Sequence, residues 1–124
     1  MGRGPVGKGA QGAEEGLNRG DVVWVDLSDA SPPEMGKRWP CVVVSNSVQN
    51  QPLDTLVVVP LSSRPPELPP LRIRVDTPAL KKGSFAVVPG LRQVKKARLL
   101  GGAGKLTRAD MQRLERAVLA YLAD

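Results

Sequence analysis

Arg19-Gly20-Asp21-Val22-Val23-Trp24-Val25-Asp26-Leu27, residues 19–27, is the stretch on which the fold reading turns. Three valines, a tryptophan and a leucine in so short a run suit a strand, because branched and aromatic side chains pack well on a pleated surface. Ser28-Asp29-Ala30-Ser31-Pro32-Pro33 closes the run with turn formers. Upstream, Met1 to Asn18 is rich in glycine and poor in bulky apolar residues. Such a segment cannot bury enough surface to offset its ordering entropy, so residues 1–18 are expected to be a flexible tail and residues 19–124 the folded domain.

Downstream the β character repeats. Trp39 to Ser45 is continuously apolar and β-branched, and Leu56 to Leu61 is similar after the turn-like Asn50-Gln51-Pro52-Leu53-Asp54, so both are predicted to be strands buried on both faces or nearly so. Beyond a proline-rich loop (Pro65, Pro66, Pro69, Pro70), Leu71, Ile73 and Val75 alternate with Arg72, Arg74 and Asp76. That period of two sends one face to the core and the arginines to water. Ser84 to Val88 is a further short strand before Pro89-Gly90, and Leu91 to Val94 continues the sheet. From Ala97 to Lys105 no element is assigned, and Gly101-Gly102-Ala103-Gly104 reads as a linker: it lacks the strand-to-helix setting of a dinucleotide loop.

The last element is helical. Thr107 is placed to cap it, with Asp110 three residues on, and Met111, Leu114, Val118, Tyr121 and Leu122 fall on one face. That stripe serves core packing or a subunit interface. Several short strands followed by one amphipathic helix, without βαβ alternation, predict a mainly β fold: a small, β-rich α+β barrel with a packed C-terminal helix.

Composition narrows the chemistry. With 124 residues the chain is sized for one domain. Its 18 Lys and Arg against 12 Asp and Glu give a net charge of +6, which suits a polyanionic partner. Ser62 to Arg98 holds nine basic and two acidic residues, net +7, so the excess is concentrated in one segment. There is no histidine and a single cysteine, Cys41, in an apolar setting. Zinc sites, Ser-His-Asp triads, Cys-His pairs and an internal disulfide are thereby excluded, and Cys41 is expected to be a buried small hydrophobe. No apolar run is long enough to span a bilayer, and the glycine-rich start lacks the apolar core of a signal peptide, so a cytoplasmic protein with no membrane partner is expected.

Three segments resemble the MazF/PemK toxins. Arg19 to Leu27 is similar to the family's opening Arg-Gly-Asp, aromatic, Asp-Leu pattern. Glu34, Gly36, Lys37 and Arg38, then Pro40-Cys41-Val42-Val43-Val44-Ser45-Asn46, resembles its second segment, a loop ending in Arg-Pro that enters a valine-rich strand. Thr55 to Val59 with Pro60-Leu61-Ser62-Ser63 resembles its third, which ends in a hydroxyl residue. Ser84 to Val88, Leu91-Arg92 and Arg98-Leu99 resemble its closing strands. The likeness covers about Arg19 to Leu122.

The resemblance implies an SH3-like barrel of the CcdB/MazF type, a homodimer that cleaves single-stranded RNA without metal or cofactor and is neutralised by a MazE-like antitoxin. It implies attack of the ribose 2′-hydroxyl on the adjacent phosphate, giving a 2′,3′-cyclic phosphate and a 5′-hydroxyl. Arg38 and Ser62 are then the expected catalytic pair. A guanidinium can meet phosphoryl oxygens bidentately, and because it stays protonated it is expected to stabilise charge rather than remove a proton. Glu34, Lys37, Trp39, Ser63, Arg64 and Arg92 are the expected RNA contacts.

The sequence departs from the family pattern just before Pro40, where Trp39 stands in place of arginine and Arg38 lies one residue earlier. Within a strand that step would turn Arg38 to the other face. The plainer readings stay open beside the functional ones: Arg38 as an exposed loop cation, Ser62 as a turn cap, Trp39 as core or dimer packing, Glu34 as a solvated carboxylate. A barrel that only binds RNA or antitoxin, and a CcdB-type gyrase inhibitor, are the competing functions; the end Tyr121-Leu122-Ala123-Asp124 lacks the terminal tryptophan of the latter.

Overall fold

A computed structural model of the chain describes residues 18–27, 38–80 and 83–124. The expected tail, the Ser28–Pro33 turn, Glu34, Lys37, Lys81 and Lys82 therefore fall outside the described residues. Among the described residues seven strands run as β1 (Asp21–Asp26), β2 (Arg38–Val43), β3 (Thr55–Ser62), β4 (Arg72–Val75), β5 (Ser84–Val87), β6 (Arg92–Lys95) and β7 (Leu99–Lys105), with a helical turn α1 (Ser47–Asn50) and a C-terminal helix α2 (Arg108–Leu122). All pairings are antiparallel, in the spatial order β4-β5-β3-β2-β1-β7.

β3 organises the molecule. One edge pairs with β2, Cys41 opposite Pro60 and Val43 opposite Val58. The other edge is divided: its first half pairs with β6 (Val58 opposite Arg92) and its last two residues with β5 (Ser62 opposite Phe85). A 3-10 turn, Val88–Gly90, carries the chain from β5 to β6 along that edge. Gly90 is required there, since a Cβ on it would stand 2.7 Å from Cγ of Pro60.

Side chains alternate across a strand, so the valine-rich strands feed two cores. Val22, Val42, Val59 and Leu61 enter one, with Ile73, Val75, Ala86 and the helix residues Met111, Leu114 and Ala117. Val23, Val25, Cys41, Val43, Leu56, Val58 and Val94 form the other, flanked by Trp39 and Leu99. This is the physical content of the near-continuous apolar runs in β2 and β3: both faces are covered.

One expectation is corrected. Gly101-Gly102-Ala103-Gly104 is no linker but the middle of β7, paired with β1 through two register shifts. Gly101 (φ +150°) and Gly104 (φ +103°) supply the backbone conformations those irregularities need, which side-chain-bearing residues adopt at a cost. On α2, Met111 and Leu114 of the stripe are buried in the core, while Tyr121 and Leu122 are 42% and 65% exposed in the single chain. Thr107 caps α2 by accepting from the Asp110 amide at 3.1 Å, while the Asp110 carboxylate turns outward to the Asp76 amide and Arg113. Asn46 caps α1, accepting from the amides of Val48 and Gln49 at 2.8 and 3.1 Å. That turn was not foreseen.

Candidate functional site

The alternation that fills the cores also sorts the candidate side chains. On β3, Val59 and Leu61 enter the helix-side core, so Pro60 and Ser62 face the other way. Phe85 opposite Ser62, and Arg74 opposite Phe85, share that face, as does Arg72 two residues from Arg74. Trp39 and Cys41 of β2 join it, and so does Arg92, which is paired with Val58. Ser62, Trp39, Arg72, Phe85 and Arg92 therefore belong to one surface of the barrel.

Contacts at Ser62 are local and polar. Its Oγ accepts from the backbone amide of Arg64 at 3.0 Å, the turn-capping bond that a serine at a strand end readily makes. Ser63 and Arg64 lie exposed on the loop that this bond shapes. The indole Nε1 of Trp39 donates to the carbonyl of Leu61 at 3.0 Å, which holds the half-buried ring beside the end of β3. The guanidinium of Arg72 lies over the Phe85 ring, 5.9 Å from its centroid. Arg72 Nε donates to the Pro66 carbonyl at 3.3 Å, and Nη2 donates to the carbonyl of Arg64. The Ser62 hydroxyl and the Arg72 guanidinium thus grip the N–H and the C=O of the same residue.

Arg38 goes elsewhere. It stacks on Trp24, its guanidinium carbon 5.0 Å from the ring centroid, and shares the parity of Val42 rather than that of Trp39. The expected pair of Arg38 and Ser62 is not brought together: the one-residue displacement caused by Trp39 puts the two side chains on opposite faces of the sheet. Sequence alternation gave Arg72 only a place in water. The signals that mark it are its neighbours, an aromatic residue on the adjacent strand and two loop carbonyls, which no local pattern reveals.

The electrostatics of this surface are one-sided. Among the described residues no carboxylate forms an ion pair with Arg64, Arg72 or Arg92. Glu67, the acid of the adjoining loop, is held by Arg113 at 2.6 Å and by the amide of Arg74 at 3.0 Å. Cys41 beneath the surface is 1% exposed, and burial pushes its thiol up to about 12, with nearby Arg92 pulling the other way. A thiol so placed is protonated at neutral pH and is no nucleophile. Among the described residues no three His, Cys, Asp or Glu side chains gather to hold a metal ion, and no helix is long and apolar enough to cross a membrane.

The family model of the PemK-like, MazF-like toxins of type II toxin-antitoxin systems matches residues 18–122. The chain belongs to the PemK/MazF family. Endoribonuclease MazF9 of Mycobacterium tuberculosis (strain ATCC 25618 / H37Rv) is 28% identical over 113 residues, covering 86% of this chain and 96% of its own length. The crystal structure of MazF from Deinococcus radiodurans superposes with a TM-score of 0.70 at 17% identity, over 85% of this chain and 94% of that one. An endoribonuclease in complex with its cognate antitoxin from a mycobacterial species gives a TM-score of 0.64 at 22% identity, over 85% and 91%. The barrel with its C-terminal helix is the MazF-type fold that the sequence resemblance implied.

Proposed function

We propose that this PemK/MazF-family chain is a sequence-specific endoribonuclease toxin that cuts single-stranded RNA without a metal, works in the cytoplasm as a homodimer, and is silenced by a MazE-like antitoxin. The observation that carries the reading is a serine hydroxyl on a surface whose guanidinium groups are not neutralised by carboxylates. Such a surface attracts a polyanion and can stabilise charge that builds on phosphoryl oxygens. Its described residues offer no imidazole, carboxylate pair or thiolate, and the catalysis assigned to them is positioning and charge stabilisation.

The chemistry needs only the substrate's own nucleophile. The ribose 2′-oxygen bonds to the adjacent phosphorus, the P–O5′ bond breaks, and the products are a 2′,3′-cyclic phosphate and a 5′-hydroxyl. Solvent takes the 2′ proton and returns one to the 5′ oxygen. Ser62 is assigned a hydrogen bond to a non-bridging oxygen. Trp39 is assigned stacking on an unpaired base, and Ser63, Arg64 and Arg92 contacts to the strand on either side. Arg38, on the Trp24 face, is assigned a phosphate beyond the scissile step, and Glu34 and Lys37 retain the RNA-contact role implied by the family.

The test is incubation of purified protein with mixed RNA in excess EDTA, followed by mapping of the new ends. Cyclic phosphates at a recurring short motif, lost in Ser62→Ala and suppressed by an acidic-tailed antitoxin, are expected. RNA retained in a gel without cleavage would overturn catalysis in favour of a binding module, and gyrase-dependent DNA breaks would point to CcdB-type action.

A further inference from the structure

We propose that Arg72 supplies the catalytic guanidinium of this chain, in the place left by the arginine that Trp39 replaces. The inference rests on the ribonuclease reading above. The β2–β3 pairing ends at Cys41 opposite Pro60, and Trp39 and Ser62 lie two residues beyond that end on the same face. The β2 residue at that end of the face is therefore an uncharged indole, fixed by its bond to the Leu61 carbonyl. A phosphate brought to Ser62 must find its positive charge elsewhere.

Four other cations among the described residues are near enough in the fold to compare. Arg38 is on the opposite face, over Trp24. Arg92 sits beside Val58, four residues along β3 from the serine. Arg64 is an exposed loop side chain, while its backbone is held in the turn. Arg74 is across Phe85 in the ladder, but its side chain is exposed and its guanidinium lies beside Gly83. Among the described cations, Arg72 alone is both fixed and adjacent. Two of its five N–H groups are bound to the carbonyls of Arg64 and Pro66, and its plane rests on Phe85, the strand partner of Ser62. The remaining three N–H groups are available for phosphoryl oxygens.

Those anchors orient the group without cancelling its charge, because carbonyls are neutral acceptors and the nearby carboxylate of Glu67 is held by Arg113. Preorganised, uncompensated donors are what a developing dianionic phosphorane requires. In the step itself the 2′-oxygen–phosphorus bond forms, the P–O5′ bond breaks, and the protons exchange with solvent. Arg72 remains protonated throughout and binds the non-bridging oxygens opposite the Ser62 hydroxyl.

The experiment uses the full chain and a short RNA carrying a cleavage motif mapped on the wild type. Arg72→Gln, which keeps an amide donor for the loop carbonyls, and Arg72→Lys, which keeps the charge, are compared with the helix-surface control Arg116→Gln. For Arg72→Gln, kcat should fall on the order of 100-fold, the size seen when one preorganised oxyanion donor is removed, with KM little changed. Arg72→Lys should fall between Arg72→Gln and wild type. Added guanidinium ion should restore part of the Arg72→Gln rate, a response that a purely structural role would not give. Wild-type kcat in Arg72→Gln, or a loss that guanidinium leaves untouched while affinity for the 2′-deoxy analogue falls equally, overturns the assignment and leaves the ribonuclease reading standing. Failure of the wild type to cleave any RNA overturns both.

Discussion

Cys41 shows how position rather than identity sets the chemistry of a side chain. Its thiol is raised from 9.0 to about 12, chiefly by burial, with Arg92 opposing the shift. The native state therefore holds its proton to higher pH than the unfolded chain does. Stability from this group is complete below about pH 9 and is lost as the pH climbs toward 12, because the unfolded thiol ionises first. Over that window the expected slope is about 1.4 kcal/mol per pH unit. Urea midpoints measured from pH 8 to 11 should fall more steeply for the wild type than for Cys41→Ala, although Cys41→Ala starts lower. The burial of Cys41 was legible from its valine neighbours. The serine at the end of β3 was legible too, through its family pattern. The proposed cation, Arg72, was not, since a strand ten residues downstream leaves no mark on local spacing.

At the scale of elements, the turn Val88–Gly90 is pressed against β3, and the contact between Gly90 and Pro60 fixes how β5 and β6 share one edge. Pro60 is a closed ring in a paired strand and has little room to yield. Gly90→Ala is expected to cost about 1–3 kcal/mol, the usual range for an overpacked position. Gly102→Ala, with nothing within 4 Å of the added carbon, should shift the unfolding midpoint by much less. Denaturation of the two variants side by side checks the contrast. Period two in β4 and the continuous apolar runs in β2 and β3 were readable because a covered face and a wet face demand different residues. β7 was not. Its strand identity comes from pairing with β1, while its glycines report only the bulges, so the local sequence looks like a linker. The stripe on α2 was readable from its helical spacing, which does not by itself say which of its residues enter the core.

For the whole molecule, four of the nine basic residues of Ser62 to Arg98 lie on β4 and β6, Arg72, Arg74, Arg92 and Lys95, and Arg64, Lys96 and Arg98 are close to them in sequence. RNA affinity should therefore fall linearly with the logarithm of salt concentration, with a slope of about 0.7 per phosphate contact on a single strand. Replacing Arg64 by Gln should lower that slope by about 0.7 and weaken all sequences alike, as a backbone contact does. Fluorescence anisotropy on an uncleavable oligonucleotide at several salt concentrations measures it, and an unchanged slope would remove Arg64 from the contact surface. The division of β3's second edge has a consequence for the life of the protein. Ser62 leaves the ribosome well before residues 72–95, which bring the cationic strands alongside it. The second edge of β3 thus stays open on a nascent polypeptide until residue 95 has been made, and closes last among the pairings of that strand.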